Sequence, residues 1–323
     1  MKLIAHVLRN LTATALALPL LAQAAYPEKA ITLVVPYPPG GATDTIARKL
    51  AEPLSKRLGQ TVIVENKAGA GTAIGATAVA KAPADGYTLL ISSNTTFTVN
   101  AAIKRSLPYD PQKGFESIGT VGSTPLVLLA NPKVAANNLK ELIALSKREA
   151  NGMNFGSFGN GTTSHLAGEM LKVTTGANLV HVAYKGSAPA MTDLIGGQIP
   201  LTFDTNVAAM PQIAAGKVKA LAVTSKRRYA QMPNVPTVAE AGFPDYEMVP
   251  WFAIVAPQGL PEPVRAALGK ALADTVKDPA TRAELEKIGV DVAYEPGSAY
   301  DTRVARELPL LRAYVHKANI ALE

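Results

Sequence analysis

The chain contains no cysteine in its 323 residues, which excludes disulfides, thiolate metal sites and thiol nucleophiles; an exported protein of this composition must rely on its apolar core. Histidine is scarce. Beyond the first 24 residues only His165, His181 and His316 occur, in separate elements, and no H-E-x-x-H or close pair in the sequence suggests zinc. No serine has glycines two residues before and two after it, so a nucleophile elbow is absent, and no G-x-x-x-x-G-K-[ST] phosphate loop is present. No apolar run reaches the roughly 18 residues needed to span a bilayer.

The longest leader-like stretch, Leu11 to Leu21, is preceded by Lys2 and Arg9 and followed by Ala22, Gln23 and Ala24, the pattern of a secretory signal cleaved after Ala24. The expected location is therefore the periplasm. Setting residues 1–24 aside leaves 30 basic and 25 acidic residues, a mild +5 that assists capture of anions. The densest basic cluster, Lys226 to Arg228, reads as solvated surface, and no nucleic-acid partner is expected. With 48% apolar and 18% charged residues, the chain has ample material for a core.

The chain is organised around residues 31–48. A β-branched run, Ile31 to Val35, meets a Pro/Gly turn and then an amphipathic helix over about 42–58, with Ile46, Leu50, Leu54 and Leu58 on one face and Gly59 as its stop. Strand, glycine or serine loop and helix recur at 61–81 and from 87 onward, which predicts a parallel α/β sheet with its loops at one edge. Residues 103–117 read as an irregular connector. Ile118 to Ala130 and Met248 to Ala256 read as two strands crossing between domains, with a second α/β series between them. The predicted organisation is two α/β domains, 25–124 plus 250–323 and 125–249, with a ligand cleft between them.

The loop Tyr37, Pro38, Pro39, Gly40 and Gly41 combines stiffness with open backbone, and it aims a helix N-terminus beyond the strand end, the geometry of an anion site. Thr43 or Asp44 is a candidate helix cap. Ser92 and Asn94 follow the third strand. Gly159, Gly161, Thr162, Thr163 and Ser164 offer glycines and hydroxyls at another helix start, and Tyr184, Lys185 and Gly186 repeat the pattern with a base and a phenol. Asp204 ends an apolar strand, as an N-cap or as an acceptor for a ligand's amino or hydroxyl group. Gly69 to Gly75 is a poor dinucleotide fingerprint, because its last glycine is late and no acidic residue follows the next strand. Trp251 and Phe252 read as core or cleft wall. Catalysis is poorly supported, so neither an enzymatic activity nor a cofactor or metal is expected.

Tyr26 to Lys29, Val35 to Asp44, Val64 to Gly71, Ala84 to Leu89, Leu107 to Pro111, Tyr184 to Ser187, Asn234 to Gly242, and Trp251, Phe252, Ala256 and Pro257 form a set of stretches. Together they resemble the substrate-binding receptors of tripartite tricarboxylate transporters, the TctC or Bug family. The resemblance implies a type II periplasmic-binding-protein fold, α/β in class, closing over a small organic carboxylate held by main-chain and hydroxyl donors. It places the opposing loops at Tyr37 to Gly41, at Ser157 to Ser164 and at Tyr184 to Gly186, and it matches Asp204 to an acidic position. It further implies delivery to transporter membrane subunits by a monomer, with a di- or tricarboxylate, an aromatic acid or an acidic amino acid as cargo. A secreted hydrolase using Asp44, Asp204 or His165, and a ligand sensor, are the alternatives.

Overall fold

Short apolar runs punctuated by glycine, proline and serine build two sheets in the computed structural model, which describes residues 26–317 and Ile320. The first lobe opens with β1 (Ile31–Val35), α1 (Ala42–Leu58), β2 (Val62–Asn66), α2 (Ala73–Ala80), β3 (Thr88–Ser93), α3 (Asn100–Ile103) and β4 (Phe115–Ser123). A 3-10 turn, Ala70–Thr72, precedes α2, and a π turn, Thr95–Val99, leads into α3. The second lobe contains β5 (Leu126–Ala130), α4 (Leu139–Ser146), β6 (Met153–Ser157), α5 (Thr163–Thr175), β7 (Leu179–Ala183), α6 (Ser187–Gly196), β8 (Leu201–Thr205), α7 (Asn206–Ala214) and β9 (Lys219–Val223). The chain then returns as β10 (Trp251–Pro257), α8 (Glu262–Lys277), α9 (Pro279–Lys287), β11 (Asp291–Val292) and α10 (Gly297–Lys317). The secretory-signal reading falls on residues outside those described.

Helix α1 takes the bounds its apolar spacing predicts. Ile46, Leu50 and Leu54 bury against Ile31, Leu33 and Val35, and Gly59 closes the helix at φ 70°, with its N–H donated to Ser55 O. The expectation of parallel sheets needs correcting, because both are mixed. The first runs β11-β4-β10-β3-β1-β2, with β1 parallel to β2 and β3 but β10 antiparallel to both β3 and β4. The second runs β7-β6-β8-β5-β9, with β5 antiparallel to β8 and β9. Strands that arrive from the other lobe carry no crossover helix to turn them parallel, so they insert in the opposite sense.

The chain does cross twice between lobes, but neither passage is an unbroken strand. Pro125 lacks an N–H and splits the predicted run into β4, in the first sheet, and β5, in the second. The return passes through Met248 to Pro250 before β10 begins. The passages lie side by side: Thr124 N donates to Pro250 O at 2.9 Å, and Met248 N donates to Thr224 O at 3.0 Å. Helix α10 straddles the boundary. Its Tyr300 and Val304 pack with Phe97 and Trp251 of the first lobe, and its Leu308 and Val315 join the core around Leu126, Phe155 and Leu171.

Close packing in the second lobe is tightest where α5 meets β6, since a methyl group on Gly168 would overlap the Phe155 ring. Gly168→Ala should therefore lower stability by about 1–3 kcal/mol in urea denaturation. Gly196→Ala, at the open C-terminal end of α6 with no heavy atom within 4 Å of the added carbon, should be neutral or mildly stabilising. Equal losses at both positions would refute this packing argument.

Candidate functional site

The turn after β1 faces the turns after β6, β7 and β8 across the seam between the lobes, and the two sides enclose a cavity of about 40 Å³. Its walls include the starts of three helices. Gly41 precedes α1, Gly186 precedes α6 and Thr205 precedes α7, and none of the three contributes a side-chain cap. First-turn amides have no partner within their own helix, so the N–H groups of Ala42, Thr43 and Ser187, which line the cavity, are candidate donors at the positive ends of helix dipoles. At α7 the first amide is already used, because Asn206 N donates to Pro125 O at 3.2 Å. The fourth helix start is also satisfied: the Thr162 hydroxyl accepts from His165 N, and Thr163 N donates to Thr95 Oγ1 at 3.0 Å.

Hydroxyl groups complete the lining. Tyr37 Oη and Ser93 Oγ share a hydrogen bond of 2.7 Å. Thr95 Oγ1 and Thr163 Oγ1 meet at 2.7 Å across the seam, and Thr163 also donates to Asn94 Oδ1 at 3.1 Å. Phe158, Pro250 and Phe252 supply the apolar walls. No lining side chain is charged, so a negative ion placed here would be held by amide and hydroxyl dipoles alone.

Two carboxylates near these loops have opposite environments. Asp44 is buried, which opposes ionisation. Its oxygens nevertheless accept from Arg48 Nε at 3.1 Å, Gly40 N at 3.0 Å and Asn66 Nδ2 at 2.9 Å, and together these hold its pKa below the usual range. Asn66 Nδ2 also donates to Tyr37 O at 3.0 Å, so Asp44, Arg48 and Asn66 brace the Tyr37–Gly41 loop from behind. Neither Thr43 nor Asp44 is the cap the sequence suggested. Among the described residues no basic group pairs with Asp204: burial pushes its pKa up to about 7, against the lowering effect of Ser187 Oγ, which donates to Oδ2 at 2.7 Å, and of Thr205 N, which donates to Oδ1 at 2.8 Å. Through Ser187 and Thr205 it underlies two of the helix starts that line the cavity.

Of the residues singled out in the sequence, Tyr37, Pro38, Gly41, Thr163 and Gly186 line the cavity. Pro39 and Gly40 lie exposed at the loop tip. Gly159, Thr162, Tyr184 and Lys185 line a neighbouring, larger recess. Gly161 lies between the two lobes, close to the side chains of Asn100 and Lys104. Ser92 and Ser164 point inward, Ser92 Oγ bonding Thr96 Oγ1 at 2.6 Å and Ser164 Oγ donating to Phe203 O at 2.7 Å. Sequence reasoning did not single out Ser93, Thr95, Phe158, Ser187 or Thr205. Four of these carry hydroxyls adjoining strand ends or helix starts already noted, and that was the available signal; Phe158 was covered only as part of the Ser157 to Ser164 loop.

His165 and His181, far apart in sequence, stack at 3.9 Å between ring centroids. Burial pushes both pKa values down to about 4. The neutral rings hold the glycine loop in place: Ser157 Oγ and His181 Nε2 are 2.6 Å apart, and Gly161 N donates to His165 Nδ1 at 3.2 Å. Among the described residues no group of three or more His, Cys, Asp or Glu could hold a metal ion.

Comparison with known proteins agrees with this geometry. Residues 46–318 match the model of a family described as tripartite tricarboxylate transporter family receptor. The chain is similar to protein BugT of Bordetella pertussis, with 40% identity over 256 residues, 79% of this chain and 78% of that one. The structure of the periplasmic binding protein BugD superposes with a TM-score of 0.88 at 38% identity, covering 92% of this chain and 100% of BugD. MatC from Rhodopseudomonas palustris, with bound malate, superposes at 0.85 with 31% identity, covering 90% of this chain and 100% of MatC.

The raised pKa of Asp204 has a signed effect on stability. The native carboxyl keeps its proton to about pH 7, whereas an unfolded aspartate releases it near 3.8, so this group's contribution is present at acidic pH and lost as pH rises through about 7. The two buried histidines act in the opposite sense, costing stability as pH falls from 6.5 towards 4. The informative quantity is therefore the stability difference between Asp204→Asn and wild type, measured by chemical denaturation from pH 4 to 8. It should move steadily in the variant's favour as pH rises, and a pH-independent difference would show that the carboxyl titrates normally.

Proposed function

The chain belongs to the tripartite tricarboxylate transporter receptor family, and from that membership and the donor-lined cavity we propose an extracytoplasmic receptor that closes on a small organic carboxylate and delivers it to transporter membrane subunits. The observation that carries this reading is the convergence of uncapped helix starts from both lobes on one cavity without a charged lining side chain. Amide and hydroxyl donors in a closed site bind a carboxylate strongly, each hydrogen bond to an ion contributing about 1.5–3 kcal/mol. Bound malate in MatC supports the ligand class. The side-by-side passages at 124–125 and 248–250 support a hinge between lobes divided at 25–124 with 250–323 and 125–249. Export through the leader, with cleavage after Ala24, and action as a monomer without a cofactor complete the proposal.

A hydrolytic role finds little support in the side chains. Ser157, paired with His181, is fully buried and absent from the cavity lining, and Asp44 is committed to Arg48. A thermal-shift screen over mono-, di- and tricarboxylates tests the receptor reading, because a ligand at about 100 times its dissociation constant adds about 2.7 kcal/mol. No shift with any acid would count decisively against it, and so would consumption of the acid by substoichiometric protein.

Gly41 offers a sharper test. Its φ of −84° suits any residue, and a Cβ there would lie 3.9 Å from Ser187 Cβ on the opposing lobe. Gly41→Val should fill the cavity and weaken carboxylate binding by about tenfold or more in calorimetry, with an unchanged unfolding midpoint in the absence of ligand. Retained affinity would mean the ligand sits elsewhere.

A further inference from the structure

One buried carboxyl lies directly behind the lining of the cavity. Asp204 ends β8 with no exposed surface, and its partners are few: Ser187 Oγ donates to Oδ2 at 2.7 Å, Thr205 N donates to Oδ1 at 2.8 Å, and Thr205 Oγ1 reaches Oδ1 at 3.4 Å. Ser187 and Thr205 both line the cavity, so a single hydroxyl separates this carboxyl from the ligand space. The elements packed against β8 supply no counter-charge. Strands β5 and β6 and helix α7 carry no titratable residue. On α5, Glu169 pairs with Lys172 at 2.9 Å and His165 accepts from Gly161 N, and on α6 Asp193 accepts from Tyr184 Oη at 2.8 Å. Across the cavity the Tyr37 phenol is engaged with Ser93.

A hydroxyl has one proton to give. An ionised Asp204 can only accept, so it takes the Ser187 proton and leaves that hydroxyl nothing but lone pairs to offer the cavity. An incoming anion then meets a lone pair and, one side chain deeper, a second negative charge in a low-dielectric site, where like charges oppose each other's ionisation. A proton on Oδ2 reverses both effects. The carboxyl becomes neutral and donates to Ser187 Oγ, Oδ1 goes on accepting from Thr205 N, and the Ser187 proton is free to point at the ligand.

We propose that Asp204 is a positioning residue that couples capture of the anion to uptake of one proton, acting through the direction of the Ser187 hydroxyl. The proton comes from solvent through the open cleft and rests on Oδ2 in the complex. This inference rests on the receptor reading and adds a proton to what the receptor binds. Burial already raises the pKa of Asp204 to about 7 in the empty site, and a bound anion raises it further, so uptake begins as pH rises through about 7. Affinity is therefore full on the acidic side of that point and falls on the alkaline side. His165 and His181, pushed down to about 4, stay neutral throughout this range.

The test is calorimetry on the full-length mature protein with acetate, malate, adipate and benzoate between pH 7 and 8.5, in pairs of buffers with different heats of ionisation. The acids are themselves ionised in this range, so proton uptake belongs to the protein. With each acid that binds, wild type should take up about one proton at pH 8 and lose affinity by about tenfold per pH unit above 7. In Asp204→Asn the amide donates to Ser187 Oγ as the protonated carboxyl does, and its oxygen still accepts from Thr205 N. This variant should take up no proton and bind at pH 8 about tenfold more tightly than wild type. A purely structural role would instead weaken it at every pH. Infrared difference spectra of wild type guard against misfolding of the variant, since adding the acid at pH 8 should produce the band of a neutral carboxylic acid. Binding without proton uptake, or without that band, would overturn the coupling and leave the receptor reading intact. Uptake that persists in Asp204→Asn would overturn the assignment to Asp204. Failure of every acid to bind, here and in the thermal-shift screen, would overturn both readings.

Discussion

The positive ends of helices on opposite lobes face one another across a small cavity, and the rest of the site is arranged around this opposition. α1 and α6 present uncapped starts to the same space. Like poles brought together in a low-dielectric seam repel, and the repulsion reverses when a negative group lies between them. On the receptor reading proposed above, closure and anion capture would be one thermodynamic event, the energy that draws the lobes together being the energy that holds the ion. Two of the seam contacts beside the cavity are neutral: Thr95 with Thr163, and Pro38 against Gly186. These fit the closed geometry without forcing it.

Around this centre, ionised side chains are kept in supporting positions. Asp44 is drawn back by Arg48 and Asn66 so that its negative charge stiffens the first loop instead of occupying the donor ring. Asp204 sits beneath the opposing helix starts, and burial favours its protonated form. The stacked histidines remain neutral, for the same reason, under the glycine loop. Burial, set against the hydrogen-bond partners each group finds, thus decides which groups carry charge near the cleft.

Much of this was legible in the sequence, and the rest was hidden for identifiable reasons. Helix α1 announced itself by four-residue apolar steps and Gly59, because both signals are local. The glycine and hydroxyl loops announced the helix starts for the same reason. Strand direction leaves no local trace, so the antiparallel insertion of β5 and β10 could not be read from their apolar runs. Pro125 was visible, yet only the lobe-to-lobe change on either side of it shows that the break is a crossing. Asp44 and Asp204 look alike as acidic residues beside helix starts. Arg48 one turn after Asp44 was a clue to their difference, but that Asp204 meets Ser187 and Thr205 and, among the described residues, no basic group is a tertiary fact. Phe158 and Pro250 wall the cavity only because distant segments fold towards them.

The antiparallel placement of β10 has a consequence in time as well as in space. Its residues, 251–257, fill the middle of the first sheet between β3, which ends at Ser93, and β4, which ends at Ser123. The amino-terminal half of that sheet therefore emerges from the ribosome with a missing central member and cannot zip up until most of the chain has been made. Long-range pairing of this kind slows folding. For a polypeptide exported as proposed above, such delay would keep the chain threadable while it crosses the membrane.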